Sequence, residues 1–413
     1  VFHNGVQTDF WQFLNDTSKS LDSSRPTHTK FMMASLHAGN MEAWQRSYDI
    51  AGHDGGVSDR DVLFLDYMKS LWPERALINT EFHIWYGNHK SVEIVPWRFA
   101  LHGGADGNWW CWHSNANFSD SVGNAASMHA LTFGGLDLQR LFDPYMVALN
   151  RQPSSVATLF ADVIERRSDV KMVRLRHEIA PAQYALGLKP HYVAESRIGP
   201  AALRGQRLLI ATDADYVRDG TYDSVLAWVR GGGTVLVAPG TLAHNEYGDP
   251  RDTSELVQAT GGEAYGEGAR RYPVGRGWAV CIDDLPCLPD VVTDGGEGLR
   301  VVPLPEHLER RALLMRVLDR ALGDLRLRGP VRLEGSEAGG LAALTGLDWR
   351  AAPVRGGYTL CAVPYGADGP FAVQLATDRP IRRLVNLVSA EDVDPAAWAL
   401  PDEPSLWYVE LGG

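Results

Sequence analysis

Glu81 is the residue whose setting most suggests chemistry. It closes the short apolar run Ala76–Glu81, in the order Ile78-Asn79-Thr80-Glu81-Phe82-His83. A carboxylate at the end of a buried strand, among aromatic neighbours, suits a nucleophile or a general acid/base. It equally suits a cap on the next helix or half of an ion pair. His53 and Asp54 stand in the glycine-rich turn Gly52-His53-Asp54-Gly55-Gly56. They are placed to bind a ligand's hydroxyl groups, or Asp54 simply hydrogen-bonds its own backbone, as turn aspartates do. Trp109, Trp110, Trp112 and His113 end the next apolar run, Gly107–Trp112. Strand alternation puts Trp110 and Trp112 on one face and Trp109 on the other. Lys30 opens an earlier apolar run and reads as structural.

These residues sit in a part of the chain with its own composition. Eight of the 13 Trp and nine of the 13 His precede residue 151. Each brings a polar group that wants a partner, so a core alone rarely needs so many. Carbohydrates and other polar-ring ligands use both, stacking on Trp and hydrogen-bonding to His. Any single Trp can still be core filling.

The whole chain has 413 residues, 45% hydrophobic and 22% charged, a globular composition. Its formal net charge is −12, the reverse of a nucleic-acid binder. No apolar run is long enough for a membrane span. Cys111, Cys281, Cys287 and Cys361 are far apart without CxxC spacing, so neither a metal site nor a disulfide framework is implied. They leave the redox compartment, and hence the localisation, open. No cofactor-binding motif is read.

The elements that must position Glu81 follow from periodicity. Residues 8–22 predict a helix with Phe10, Phe13, Leu14 and Leu21 on one side. Lys30–Leu36 reads as a strand, Met41–Trp44 as a helix and Tyr48–Ile50 as a short strand. A helix is predicted over 59–71, opened by Ser58 or Asp59 as N-cap. The strand Ala76–Glu81, a helix over 89–101, the strand Gly107–Trp112 and a helix over about 123–149 complete the segment. Short apolar strands alternating with helices mean a parallel α/β sheet. Four such units are half of a (β/α)8 barrel and cannot close one. The natural chain is therefore expected to begin upstream of Val1.

From residue 154 the pattern restarts. Strands are predicted at Val156–Ala161, His191–Glu195, Arg207–Thr212 and Thr234–Ala238. Helices are predicted over 170–186 (interrupted by Pro181), 220–230 and 306–323. This is a doubly wound α/β unit. Beyond 328, VRLEG, YTLCAVPY, FAVQLA, RRLVNLV and LWYVEL predict a small all-β domain. The expected fold class is thus α/β: a partial barrel over 1–153, a doubly wound domain over 154–326 and a β domain over 327–413.

Gly231-Gly232-Gly233 is read as a helix C-cap, because it follows a helix and a phosphate cradle must precede one. The second α/β unit offers no Cys or Ser on a strand-to-helix elbow, so it reads as catalytically silent. Asn15-Asp16-Thr17 and Asn117-Phe118-Ser119 are glycosylation triplets of a kind common by chance.

Two stretches carry a family resemblance: ALINTEFHIWYG at 76–87, and WRFALHGGADGNWWCWHSNA at 97–116. Together they resemble strands seven and eight of a clan-A glycoside hydrolase barrel, and above all the family-42 β-galactosidases and their relatives. The His-Gly-Gly-Ala-Asp-Gly run at 102–107 is the most telling match. HYVAESRIGPAALRGQRLLIATDADYV, from residue 191, resembles that family's second domain, an amidotransferase-like trimerisation domain without its nucleophile.

The resemblance implies a retaining hydrolase of β-linked sugars, β-galactosides first, that forms a homotrimer; no cofactor or metal is expected. Glu81 would be the nucleophile and Trp112 the floor of the sugar site. His53, Asp54, His83, Trp85, Trp110 and His113 would contact substrate. The family's acid/base glutamate follows an Asn at the end of strand four. The only Asn-Glu pair here is Asn245-Glu246, in the second domain, and Glu42 and Glu93 fall on predicted helices. The acid/base is therefore expected outside this chain. The competing expectation is a non-catalytic carbohydrate-binding protein or one subunit of a split barrel.

Overall fold

The computed structural model of the chain describes residues 2–30, 42–43, 46–53, 59–83, 89–110, 135–161, 179–258, 261–283, 305–336, 340–365 and 371–413. It opens with helix α1 (Phe2–Leu21). Strands β1 (Ala51–His53), β2 (Leu77–His83) and β3 (Asp106–Trp110) follow, with helices α2 (Asp59–Leu71) and α3 (His89–Leu101) between them. The three strands pair in sequence order, all parallel. A parallel bridge from His28 to Ile50 extends the same pairing one step toward the N-terminus. Sequential parallel strands joined by helices are the wiring of a β/α barrel wall.

Both connecting helices fall where periodicity put them. α2 is buried almost all round from Val62 to Met68, the mark of a helix held between two layers. One layer is the parallel sheet. The other is the next sheet, because the core around α2 includes Phe160, Tyr184, Tyr192 and Ala194. Tyr67 stacks on Phe160 with ring centroids 3.7 Å apart.

The first strand differs from expectation. It runs over Ala51–His53, not Tyr48–Ile50. Asp49 instead accepts the Thr27 amide at 2.8 Å, and the Tyr48 hydroxyl reaches the Trp11 carbonyl. Gly52, which reads as a turn glycine, lies within the strand. An ideal Cβ there would come 1.6 Å from the Thr29 carbonyl oxygen, so only glycine fits. The expected strand at Lys30–Leu36 and most of the helix at 123–149 lie outside the described residues. The described end of that helix is a π turn (Leu138–Phe142) passing into α4 (Asp143–Arg151). Pro144 has no amide to continue the α ladder, which accounts for the break.

The second sheet has seven strands in the order β5-β4-β6-β7-β10-β9-β8. These are β4 (Val156–Phe160), β5 (Tyr192–Ala194), β6 (Leu208–Ile210), β7 (Thr234–Val237), β8 (Glu263–Ala264), β9 (Ala269–Val274) and β10 (Gly277–Ile282). Strands β4 to β7 are parallel and wholly buried, as strands covered on both faces must be. The β9–β10 hairpin was not legible: ARRYPV carries two arginines and a proline and shows no alternation. Helix α5 (Asp219–Arg230) lays Tyr222, Val225, Leu226 and Val229 inward, and Gly231 caps it. Helix α6 spans Pro305–Asp324.

The remaining strands are β11 (Val331–Gly335), β12 (Leu347–Val354), β13 (Gly357–Pro364), β14 (Val373–Thr377), β15 (Ile381–Asn386), β16 (Glu391–Asp392) and β17 (Ser405–Leu411). They form an antiparallel pair β11-β14 and a five-stranded antiparallel sheet β12-β13-β17-β15-β16. Strand β12 was also missed. Asp348 and Arg350 break its apolar pattern, yet both are fully buried. The cores run from one sheet to the next. One joins the seven-stranded sheet to Trp349, Leu360 and Trp407, and another joins α3 and α4 to Cys361, Val363 and Leu406.

Candidate active site at the carboxyl ends of the parallel strands

Active sites of parallel β/α folds lie at the carboxyl ends of the strands. The register brings four of the sequence-selected residues there. His53, the last residue of β1, pairs with Asn79 of β2. His83, the last residue of β2, pairs with Trp110, the last residue of β3. Glu81 lies on β2 between these two levels, one strand spacing of about 4.8 Å from each neighbour. The strand continues to His83, two residues beyond its expected end.

The register carries one irregularity, and it falls at Glu81. Asn79 pairs with Gly107, but Phe82 pairs with Trp109. Thr80 and Glu81 therefore stand opposite the single residue Asn108, as in a β-bulge. Such bulges re-aim the chain and recur beside active sites. Nothing in the sequence signalled it. Asn79, one turn of the pleat before Glu81, is completely buried, and the sequence reading did not single it out. The signal was present as an amide directly after the apolar Leu77-Ile78 pair that opens the strand. For His53, Glu81, His83 and Trp110 the description extends to backbone and register; Asp54, Trp85, Trp112 and His113 lie outside the described residues.

The strands are held in place from behind by a buried charge network. His102, which follows α3 and opens the His-Gly-Gly run, faces Asp66 of α2 through Nδ1 at 2.7 Å. Its Nε2 faces Asp348 of β12 at 2.6 Å. Arg98 donates to the same Asp348 oxygen at 3.1 Å, and Arg350 donates to the Leu101 carbonyl at 2.5 Å. All five side chains are at most 3% exposed. Burial alone would raise the Asp348 carboxyl, but His102, Arg98 and Arg350 outweigh it and hold the group well below its ordinary value. Tyr184 packs edge-on against the His102 ring, and burial drives its hydroxyl pKa far up.

Other candidates resolve as structural. Glu42 accepts from Arg197 at 2.6 Å and from Ser196, so it ties the first segment to the second sheet. Asn15 is buried and accepts from Thr27 at 2.6 Å, which leaves its amide no room for a glycan. Cys281 lies buried on β10, its thiol pushed up to about 11 by burial and the nearby Asp283 charge. An activated nucleophile shows the opposite shift. Among the described residues no group of three His, Cys, Asp or Glu is arranged to hold a metal ion, and no helix is long and apolar enough to cross a membrane.

Comparison with solved structures places this arrangement. An apo family-42 exo-carrageenase from Bacteroides ovatus superposes with a TM-score of 0.70 at 15% identity, over 100% of this chain and 56% of that one. The fold is GH42-like. A β-galactosidase from Bacillus circulans sp. alkalophilus gives 0.69 at 12% identity, over 97% of this chain and 66% of its own. A β-galactosidase from the Antarctic haloarchaeon Halorubrum lacusprofundi gives 0.64 at 14% identity, over 100% and 67%. The chain thus spans little more than half of the carrageenase and about two thirds of these β-galactosidases. No family model matches its sequence, and no curated protein sequence matches it.

Proposed function

We propose that this chain is the Glu81-bearing part of a retaining glycoside hydrolase acting on β-linked sugars, β-galactosides first. The observation that carries the reading is the position of Glu81: on the middle of three parallel strands, near their carboxyl ends, at a break in register. The GH42-like fold supports it. In this reading Glu81 attacks the anomeric carbon and forms a glycosyl-enzyme. A second carboxyl protonates the leaving oxygen and then activates water, which requires the two groups to lie about 5–5.5 Å apart. His53, Asp54, His83, Trp85, Trp110, Trp112 and His113 hold the sugar.

The acid/base carboxyl is proposed to come from further β/α units of the barrel, outside this chain. Helix α1 supports that part: Val6, Phe10, Phe13 and Leu21 are 52%, 53%, 63% and 84% exposed, an apolar face of the kind that another element covers. In the same reading residues 1–153 belong to the barrel, 154–326 to a homotrimer-forming domain and 327–413 to a β domain. Sedimentation of the purified protein tests the trimer.

The open α1 face also favours a second reading, in which the chain binds carbohydrate without cleaving it or serves as one subunit of a split barrel. The variant Glu81→Gln, assayed on a dinitrophenyl β-galactoside whose leaving group needs no protonation, separates the two. Lost turnover with retained galactoside binding supports the nucleophile; an unchanged protein on both counts supports the binding or structural role.

A further inference from the structure

At the opposite, amino-terminal end of the same strands lies a cleft of about 1040 Å³. Ala76 and Ala105, the residues just before β2 and β3, form part of its wall. It is therefore separate from the site around Glu81. The cleft runs between the parallel sheet's helices and the seven-stranded sheet.

Its lining carries a positive excess. Lys69, Arg75, Arg151, Lys189 and Arg204 line it together with His191, against two carboxylates, Glu74 and Asp143. This positive excess stands in a chain whose formal net charge is −12. Several of the cations keep donors to spare. The Lys69 ammonium donates to the carbonyls of Pro73 and Arg75, each at 2.8 Å, which uses two of its three N–H groups. Lys189 donates to the Asn150 carbonyl, and its two other N–H groups meet no acceptor among the described residues. The guanidinium groups of Arg151 and Arg204 make no ion pair among the described residues. Arg75, by contrast, is committed to the Arg46 carbonyl and lies over the Trp72 ring.

We propose that this cleft binds an oxyanion ester, a phosphate or a sulfate, with Lys69, Lys189, Arg151 and Arg204 around the charged group. Pro96, Phe99 and Met146 add apolar lining to the same cleft, where the carbon body of the ester would lie. Concentrated like charge is costly to hold without a counter-ion. The cost registers on the side chains themselves. Burial and then Arg350 and Lys69 push the Lys189 amine down to about 8; burial lowers Lys69, with Glu74 opposing and Arg151 adding to the fall; burial and, after it, Lys189 lower His191. A bound oxyanion reverses these shifts, so binding near pH 8 takes up protons.

Isothermal titration of the 413-residue protein tests the site, with inorganic phosphate, inorganic sulfate, phenyl phosphate and phenyl sulfate as probes. Saturable binding is expected, tighter for the phenyl esters than for the inorganic ions, with heats that depend on the buffer's ionisation enthalpy at pH 8. The phosphate and sulfate arms identify which oxyanion the cleft prefers. Arg204→Gln, an exposed change that leaves the fold intact, and Lys189→Gln should each weaken binding about tenfold, as loss of one charged hydrogen bond does. Arg355→Gln, on the distant β12–β13 turn, should change nothing. Absence of saturable binding, or equal weakening by Arg355→Gln and Arg204→Gln, overturns the proposal.

Discussion

His102 Nε2 lies 2.6 Å from Asp348 Oδ2, a contact that spans 246 positions of sequence and joins the end of α3 to β12. The same ring reaches Asp66 on α2 with its other nitrogen. Arg350 Nη2 lies 2.9 Å from that second nitrogen, and Arg98 and Arg350 set their positive charge against Asp348 and Asp66. The helices behind the Glu81 strands are thereby fixed to the antiparallel sheet. Removing one partner of such a buried network leaves an uncompensated charge, which costs about 3–5 kcal/mol. Asp348→Ala should lose that much in a guanidinium titration, far more than an exposed Asp402→Ala.

The Asp348 carboxyl also sets a pH dependence. Its pKa in the folded protein is held below the ordinary 3.8. A depressed acid contributes stability that is full above its unfolded pKa and is lost as pH falls through the folded one. Wild-type stability should therefore decline below about pH 4, and Asp348→Asn should flatten that decline while lying lower at neutral pH.

Lys189 predicts a trend of opposite origin. With its amine near 8 in the folded chain against 10.5 when unfolded, the unfolded state holds the extra proton between those values. Stability should rise with pH across that window. Lys189→Met should abolish the rise in denaturation midpoints measured from pH 7.5 to 10.

How much of this is legible in the sequence depends on how local the cause is. Helices α2 and α3 were read to the residue, because caps and apolar spacing lie within the segments themselves. The parallel strands β4, β6 and β7 were legible as plain apolar runs. Strand β12 was not: Asp348 and Arg350 look like surface residues until His102, Asp66 and Arg98 are brought beside them from elsewhere in the chain. Gly52 misled for the same reason, since its closest neighbour, the Thr29 carbonyl, belongs to another segment. At the candidate site the sequence located Glu81 on the correct strand, while the bulge opposite Asn108 is a property of pairing and had no local sign.

Gly187 provides a packing test between the second sheet's region and β12. Its φ is +67°, and an added Cβ would lie 2.4 Å from Cη2 of Trp349. That indole donates to the Ala185 carbonyl at 2.8 Å. Gly187→Ala should cost about 1–3 kcal/mol through the combined strain and displaced ring. Trp349→Phe should suppress part of the loss, as the double variant's denaturation midpoint will show.

The buried thiols should be silent. Cys281, with its pKa near 11, holds only about a thousandth of its thiolate form at pH 8, and Cys361 is raised further by complete burial. In a Cys111→Ser/Cys287→Ser background, a disulfide-exchange reagent at pH 8 should detect no thiol in the native protein and two after unfolding.

Covalent trapping is the sharpest test of the proposal that Glu81 is a glycosyl-accepting nucleophile. A 2,4-dinitrophenyl 2-deoxy-2-fluoro-β-galactoside has a leaving group that needs no protonation, so the acid/base residue is dispensable for the first step. Incubation followed by intact mass measurement and peptide mapping should show one adduct, on the peptide containing Glu81 and absent from Glu81→Gln. No adduct, or an adduct on another carboxylate, would rule out Glu81 as the nucleophile.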